Sequence, residues 1–221
     1  MDDDDVPLLG RLKDKLIGAK QDWARQGRGL TGAPDPKRRR LPPGQREVSD
    51  WPVLDLGITP DLSTADWSLT VAGAVEAPLK WSWDAFMAQP QTELVTDIHC
   101  VTTWSRYDNR WAGVTVRHLL GLVRPRPQAA FVMLKSFDGY STNLPLDLFA
   151  AEDALLAHTW QGEPLSREHG GPVRAMIPQL YFWKSAKWLR AITVMDKDSP
   201  GYWELRGYHD VGDPWREERY R

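Results

Sequence analysis

Cysteine is almost missing from this chain, since Cys100 is the only one among 221 residues. A single thiol excludes an internal disulfide and any metal site built from several cysteines. If the sulfur takes part in chemistry, it acts alone, as a nucleophile or as one ligand of a metal that other groups also hold. A lone free cysteine is also commonly a small, inert, buried side chain, so both interpretations stay open here.

Long apolar runs and an excess of positive charge are missing as well. No stretch reaches the roughly 18 consecutive apolar residues of a membrane span, so none is predicted. A net charge of −2 argues against a nucleic-acid-binding protein, which needs a cationic excess. The basic run at 37–40 leads into Leu41-Pro42-Pro43-Gly44, which is not typical of an export signal. We therefore expect a cytoplasmic location.

Three common kinds of site have no sequence support. The five histidines form no H-x-x-x-H pair and there is no C-x-x-C, so a zinc site is poorly supported. Neither a Walker loop nor a G-x-G-x-x-G fingerprint occurs. A cysteine hydrolase would pair Cys100 with His158 or His169, but no local nucleophile signature accompanies the thiol.

The sequence predicts one domain preceded by an arm. Residues 1–45 are expected to form a helical arm and a linker, and residues 46–221 to form the domain. Apolar residues recur at spacings of three and four over residues 7–25, which indicates an amphipathic helix. Seventeen prolines and seventeen glycines favour short elements joined by many turns.

Alternating apolar residues predict a series of short strands, at 68–71, 93–97, 130–134, 140–144, 172–178 and 190–194. The second of these ends just before Cys100. Ser82 and Thr115 are candidate N-caps of two short helices, and Asp138-Gly139 predicts a hairpin turn. Few strands are separated by helices long enough for regular crossovers. We therefore predict an α+β fold with β-rich mixed sheets and short helices.

Two further segments combine small residues with cations. One runs from Gly162 to Arg174 and contains His169-Gly170-Gly171-Pro172; the other is Lys184-Ser185-Ala186-Lys187-Trp188-Leu189. Small residues let backbone N–H groups approach an anion, and the cations neutralise it. Taken singly, each segment is equally compatible with a turn, and its cations with a solvated surface.

Together, these segments resemble the sulfite oxidase-type molybdopterin-dependent oxidoreductases. His99-Cys100-Val101 followed by Trp104-Ser105 resembles the molybdenum-ligand loop of the small bacterial members, a branch that reduces sulfoxides such as oxidised methionine. The stretch 162–174 resembles the family's HGxPxR segment, and 184–189 resembles its K-x-x-KWL segment. The resemblance covers about residues 38–200 and implies the sulfite oxidase molybdopterin-binding fold.

The resemblance also implies a set of site residues. Cys100 would supply the protein thiolate to one molybdenum, whose other sulfurs come from a pyranopterin dithiolene. The implied cofactor-binding residues are His99, Cys100, His169, Arg174, Lys184, Ser185, Ala186 and Lys187. Arg174 and the turn Lys184–Lys187 would hold the terminal phosphate of the pterin. The side chains expected beside the catalytic Cys100 are Trp104, Arg106 and Tyr107.

The function implied by the resemblance is enzymatic. The enzyme would transfer an oxygen atom, in a two-electron reaction, to or from a small oxyanion or a sulfoxide. Because the chain has no haem-binding segment, a separate haem or flavin protein would exchange the electrons. The alternative interpretation is a non-catalytic module that keeps the fold and binds a cofactor or a partner.

Overall fold

The computed structural model describes residues 40–221, within which Pro43–Arg221 form one compact unit. The predicted arm at 1–45 therefore lies almost wholly outside the described residues. None of the helices in the part of the chain that the structure describes has the length and hydrophobicity that a bilayer crossing requires.

The described residues form eleven strands and a few short helices. In chain order the strands are β1 (Arg46–Glu47), β2 (Ser68–Gly73), β3 (Leu79–Ser82), β4 (Thr92–His99), β5 (Trp104–Thr115), β6 (Phe131–Ser136), β7 (Ser141–Pro145), β8 (Leu155–Trp160), β9 (Glu163–Pro164), β10 (Arg174–Met176) and β11 (Leu189–Met195). The α-helices are α1 (Trp83–Met87), α2 (Val116–Val123) and α3 (Leu146–Phe149). Single 3₁₀ turns occur at Arg167–His169, Phe182–Lys184, Glu204–Arg206 and Pro214–Arg216.

The strands make two mixed sheets. In the first, six-stranded sheet, β5 pairs with β4 and β8 antiparallel and with β1 parallel, and β8 continues to β9 and β10. The second, five-stranded sheet has the order β3-β2-β11-β6-β7, with one parallel pair, β2 and β11. The predicted α+β fold with β-rich mixed sheets and short helices is therefore confirmed.

Local chemistry explains the helix starts. The Ser82 side chain accepts a hydrogen bond from the Ala85 amide at the start of α1, and Thr115 accepts one from the His118 amide at the start of α2. Such caps satisfy amides that have no partner within the helix. Both predicted N-caps are confirmed.

The predicted strands are present, but β5 is the main element that the sequence did not indicate. The hairpin of β6 and β7 turns at Asp138-Gly139, where Gly139 has a φ of 89° and the Asp138 carboxylate accepts from the Tyr140 amide. In β5, by contrast, polar Ser105 and Asn109 are fully buried, which breaks the expected alternation.

Two apolar clusters hold the sheets. The larger one packs β2, β6 and β11 around residues such as Leu69, Leu134 and Ile192, each at most 1% exposed. The smaller one lies on the first sheet and includes Ile98 and Cys100. The thiol is thus built into a core at the end of β4.

Candidate active site

A cavity of about 370 Å³ is lined by parts of both sheets. The turn between β4 and β5 contributes Cys100, and β10 contributes Arg174. The β6–β7 turn contributes Asp138, the segment before β11 contributes Lys187, and the C-terminal segment contributes Tyr208. Residues far apart in the sequence therefore meet at one cavity of the size that small-molecule and cofactor sites have.

A tight turn presents Cys100 to this cavity. The Cys100 amide donates to the Trp104 carbonyl (2.8 Å), and the Cys100 carbonyl accepts from the amide of Thr103, whose φ is 73°. The Sγ atom lies 3.1 Å from the Thr102 hydroxyl oxygen, and Cys100 is 5% exposed. Burial raises the pKa of the Cys100 thiol, while the Thr102 hydrogen bond and the charge of Arg219 oppose that rise. A buried thiol of this kind suits a ligand better than a freely exposed nucleophile.

Arg174 is buried, yet no acidic side chain in the described part of the chain pairs with it. Its Nη1 donates to the His169 carbonyl (2.8 Å) and its Nη2 to the Ser185 carbonyl (2.7 Å). The guanidinium lies over Phe182, 4.2 Å from the ring centre. Burial lowers the pKa of Arg174 to about 9. Ser185 and the neighbouring Ala186 line the cavity too. A cation compensated only by carbonyls favours a bound anion.

Lys187 adds a second positive charge to the same wall. Its Nζ donates to the Glu168 carbonyl at 2.6 Å. Burial and the charge of Arg174 lower the pKa of Lys187 to about 8. Gly170, with a φ of 102°, lets the backbone approach closely, because a Cβ there would lie 2.8 Å from the Lys187 Cβ. Mutual repulsion of the two cations is relieved when an anion binds between them.

Lys184, the other lysine of the predicted motif, does not line the cavity. Its ammonium is fully buried and donates to the Glu204 carboxylate and to the carbonyls of Asn143 and Asp210, each at 2.6 Å. These acceptors occupy all the donors that an ammonium has. The structure therefore gives Lys184 a role in holding the turn rather than a free donor for a ligand.

Neither of the two predicted histidines is among the residues that line the cavity. The His169 ring stacks on Trp51, a cavity residue, with centroids 3.7 Å apart. Burial and the charge of Arg174 lower the pKa of His169 to about 4, and its buried Nδ1 has no hydrogen-bond partner among the described residues. His99 lies in the interior behind the thiol, with Nδ1 2.8 Å from the Ser105 hydroxyl.

Of the side chains predicted beside Cys100, the structure brings one to the cavity. Trp104 lines it, whereas Arg106 and Tyr107 are not among the lining residues in the described part of the chain. The Arg106 Nε donates to the Ser49 carbonyl (3.1 Å), and its guanidinium lies over Trp160. Arg106 is thus used in packing on the first sheet.

An aromatic wall is the part of the site that the sequence did not indicate. Trp183, Trp203 and Tyr208 all line the cavity. The centroid of the Tyr208 ring lies 5.2 Å from that of Trp183 and 4.9 Å from that of Trp203. Burial first, and then the nearby Tyr220 and Cys100, raise the pKa of the Tyr208 phenol. The only sequence signal was the density of aromatic residues near the C-terminus.

The described side chains do not hold a metal by themselves. Among residues 40–221, no group of three or more His, Cys, Asp and Glu side chains is arranged to bind a metal ion. A metal at Cys100 would thus take its other ligands from a non-protein group.

Comparisons with known proteins agree with the predicted family. The family model described as "Oxidoreductase molybdopterin binding domain" matches residues 56–203. The chain is 46% identical to the uncharacterized oxidoreductase YuiH of Bacillus subtilis (strain 168) over 182 residues, or 82% of this chain and 92% of that protein. It is 28% identical to the protein-methionine-sulfoxide reductase catalytic subunit MsrP of Ralstonia nicotianae over 162 residues. That match covers 66% of this chain and 49% of MsrP.

A solved structure shares the fold. The sulfane dehydrogenase SoxCD from Paracoccus pantotrophus superposes with a TM-score of 0.58 at 22% identity, covering 63% of this chain and 40% of that one. The chain thus spans about half or less of MsrP and SoxCD. The predictions of an enzyme and of a sulfite oxidase-type fold are confirmed, and the alternative of a non-catalytic module loses its support.

Proposed function

Because this chain belongs to the oxidoreductase molybdopterin-binding domain family, we propose that it catalyses two-electron oxygen-atom transfer with Cys100 as the protein ligand of molybdenum. The proposed substrate is a small oxyanion or a sulfoxide. One observation carries the proposal: the lone thiol and the two cations Arg174 and Lys187 line the same cavity. A sulfoxide substrate follows the equation R₂SO + 2H⁺ + 2e⁻ → R₂S + H₂O.

The residues present fit a molybdenum–molybdopterin cofactor. The guanidinium of Arg174, which has no acidic partner among the described residues, and the half-buried Lys187 would hold the pterin phosphate. Ser136 Oγ, a buried cavity atom without a partner among the described residues, offers a further polar contact. Cys100 would give a soft thiolate to the metal. When bound, the cofactor supplies the two-electron redox couple, and the protein supplies binding, orientation and electrostatics.

Aromatic side chains line the same cavity as the Cys100 thiol. Trp104, Trp183 and Trp203 give the cavity an apolar lining, which would limit the access of water and strengthen the electrostatic interactions made there. Tyr208 contributes a phenol, a hydrogen-bond donor for an oxygen of the substrate. A donor aimed at the oxygen polarises the bond that is made or broken.

Electrons are proposed to pass to or from a separate haem or flavin protein. The relative MsrP is named a catalytic subunit, which supports a partner of this kind. The cytoplasmic location stays a proposal, which fractionation of cells that produce the chain would test.

Steady-state assays of the cofactor-loaded enzyme test the proposed reaction. Reduced viologen with dialkyl sulfoxides measures reduction, and ferricyanide with sulfite measures oxidation. We expect turnover in one of these assays, and a loss of about tenfold or more for Tyr208→Phe because a hydrogen bond to the substrate is removed. Tyr202→Phe is the matched control, since Tyr202 packs against Trp203 outside the cavity lining.

The proposed reaction and the proposed role of Tyr208 each have a result that would contradict them. A parent enzyme with full molybdenum and pterin content that turns over neither substrate class would exclude the proposed reaction. Equal activity of Tyr208→Phe and Tyr202→Phe would remove Tyr208 from the substrate site and leave the reaction class untouched.

A further inference from the structure

Two side chains from outside the matched family region bind the turn that carries Cys100. The first is Gln45, which precedes β1. Its amide nitrogen donates to the Cys100 carbonyl at 3.0 Å, and its amide oxygen lies 3.4 Å from the Ser105 hydroxyl. The backbone of Arg46, the next residue, donates to the Thr103 carbonyl. Gln45 and Arg46 therefore bind the Cys100 turn through hydrogen bonds.

The second is Arg219, near the C-terminus. Its Nη1 donates to the Val101 carbonyl at 2.5 Å, and its guanidinium lies over Tyr181, 5.1 Å from the ring centre. Its charge is close enough to the Cys100 thiol to favour the thiolate. Arg219 is thus both a clamp on the backbone of the turn and a nearby positive charge.

The two gripping segments also meet each other. A Cβ on Gly44 would lie 2.9 Å from the Glu217 carboxylate and 3.2 Å from Arg219 Nη2. The Gly212 carbonyl accepts from the Tyr181 amide at 2.7 Å, which ties the C-terminal segment to the cavity wall. Together, residues 43–46 and 212–219 form a clasp around the turn 100–103.

We propose that Gln45 and Arg219 are positioning residues that fix the Cys100 turn for metal binding, and that the Arg219 charge favours the reduced state of the metal centre. The inference rests on the proposed function, because it assigns these roles toward a metal held by Cys100. Both residues lie outside the region 56–203 that the family model matches.

Two substitutions of Arg219 separate the effect of its charge from the effect of its hydrogen bonds. Arg219→Gln keeps a hydrogen-bond donor and loses the charge, whereas Arg219→Lys keeps the charge and loses the planar fork. A positive charge beside a thiolate ligand stabilises the electron that reduction adds. The charge therefore acts on the redox equilibrium, and the hydrogen bonds act on the order of the turn.

Redox titration of the cofactor-loaded protein, followed by the EPR signal of Mo(V), separates these roles. At a fixed ambient potential, we expect the ratio of oxidised to one-electron-reduced molybdenum to rise at least threefold in Arg219→Gln. Arg219→Lys and Gln45→Ala should match the parent ratio. The control is Arg216→Gln, because Arg216 is an exposed cation of the same segment, 76% accessible in its side chain.

Amide hydrogen exchange of the cofactor-free protein tests the clamp without using the metal. We expect the amides of residues 100–103 to exchange at least tenfold faster in Gln45→Ala and in Arg219→Ala, which loses the donor to the Val101 carbonyl, than in the parent and in Arg216→Gln. Equal exchange in all four proteins would overturn the clasp, whatever the molybdenum content of the parent.

The remaining outcomes are also decisive. A parent-like redox ratio in Arg219→Gln, or an equal shift in Arg216→Gln, would overturn the role of the charge. If Arg219→Gln takes up no molybdenum, the redox ratio of Arg219→Lys is used instead. Because lysine keeps the positive charge, a ratio that differs from the parent in that variant would also overturn the role of the charge. A parent without molybdenum would contradict the proposed function, while the exchange experiment still judges the clasp.

Discussion

At the scale of single residues, the anion-binding wall depends on one buried guanidinium. Arg174 is 1% exposed, and its two Nη atoms donate to the carbonyl of His169, in the 3₁₀ turn before β10, and to that of Ser185, just after the 3₁₀ turn Phe182–Lys184. An ammonium cannot reproduce this fork, so charge alone does not replace arginine here. Lys187 is less buried and makes one bond to a carbonyl. The two cations are therefore not equivalent in the folded protein.

Arg174→Lys is expected to lower both cofactor uptake and stability. The free energy of unfolding of the cofactor-free protein should fall by about 1–3 kcal/mol, because a buried carbonyl loses its donor. Urea denaturation and released-pterin fluorescence measure the two effects. The control is Arg190→Lys, an exposed residue of β11, which should behave as the parent. Parent-like pterin content in Arg174→Lys would contradict the account of this wall.

The low pKa of His169 predicts a specific pH dependence of stability. Its pKa is about 4 in the folded protein, below the ordinary histidine value of 6.5. Between these values the folded protein binds fewer protons than the unfolded chain, so stability falls as the pH is lowered from 6.5 toward 4. In cofactor-free His169→Phe, which keeps a ring to stack on Trp51, this loss should be smaller than in the parent. Urea denaturation at pH 7, 6 and 5 gives the free energy of unfolding of both proteins. The same dependence of this free energy on pH in the two proteins would refute the role of His169.

At the scale of elements, a buried ion pair shapes the turn that ends the cavity wall. The Glu204 Oε1 atom accepts from Lys184, from the Trp183 indole (2.9 Å) and from the Thr142 hydroxyl (2.9 Å). The 3₁₀ turn Phe182–Lys184 is thereby tied to β7 and to the C-terminal segment. Trp183 and the residues after Lys184 reach the cavity because this pair holds their backbone.

Removing one partner of this pair should be costly. We expect Glu204→Gln to lower the free energy of unfolding by about 3 kcal/mol or more, since the Lys184 ammonium would stay buried without a counter-charge. The double variant Lys184→Met/Glu204→Leu should recover part of the loss, because neither charge remains. Urea denaturation measures both variants. A single variant as stable as the parent would show that the pair does not hold the turn.

Local signals explain why some elements were predictable and others were not. The caps Ser82 and Thr115 and the Asp138-Gly139 turn act within a few residues, so the sequence reveals them. Strand β5 is set by its neighbours β4 and β8, and buried Asn109 is satisfied there by distant partners such as the Thr96 carbonyl. Tertiary context of this kind is not visible in a local pattern.

The site also contains residues that the sequence reveals and residues that only the fold brings together. Cys100 stood out as the lone thiol, and Arg174 and Lys187 stood out because small residues accompany these cations in the sequence. The resemblance to the family implied that the three belong to one site. Lys184 belongs to the same motif as Lys187, but its ion-pair partner Glu204 lies far away in the sequence. The spacing of the motif therefore does not predict this pair. Tyr208 of the aromatic wall and the clasp residues Gln45 and Arg219 lie beyond the matched region, and only the fold brings them to the cavity or to the Cys100 turn.

At the scale of the whole molecule, both sheets and the C-terminal segment line one cavity that contains the Cys100 thiol and the cations Arg174 and Lys187. The central claim is that this cavity holds molybdenum–molybdopterin with Cys100 as the protein ligand. All other assignments of the site depend on it.

Elemental analysis of the parent and of Cys100→Ser, both purified from the same molybdate-supplied, pterin-competent host, tests that claim most directly. The parent should contain molybdenum and pterin in amounts that match the chain. Cys100→Ser should fold, as judged by circular dichroism, and should have lost most of the molybdenum because a serine oxygen replaces the soft thiolate. Equal molybdenum in the two proteins, or none in a folded parent, would contradict the account.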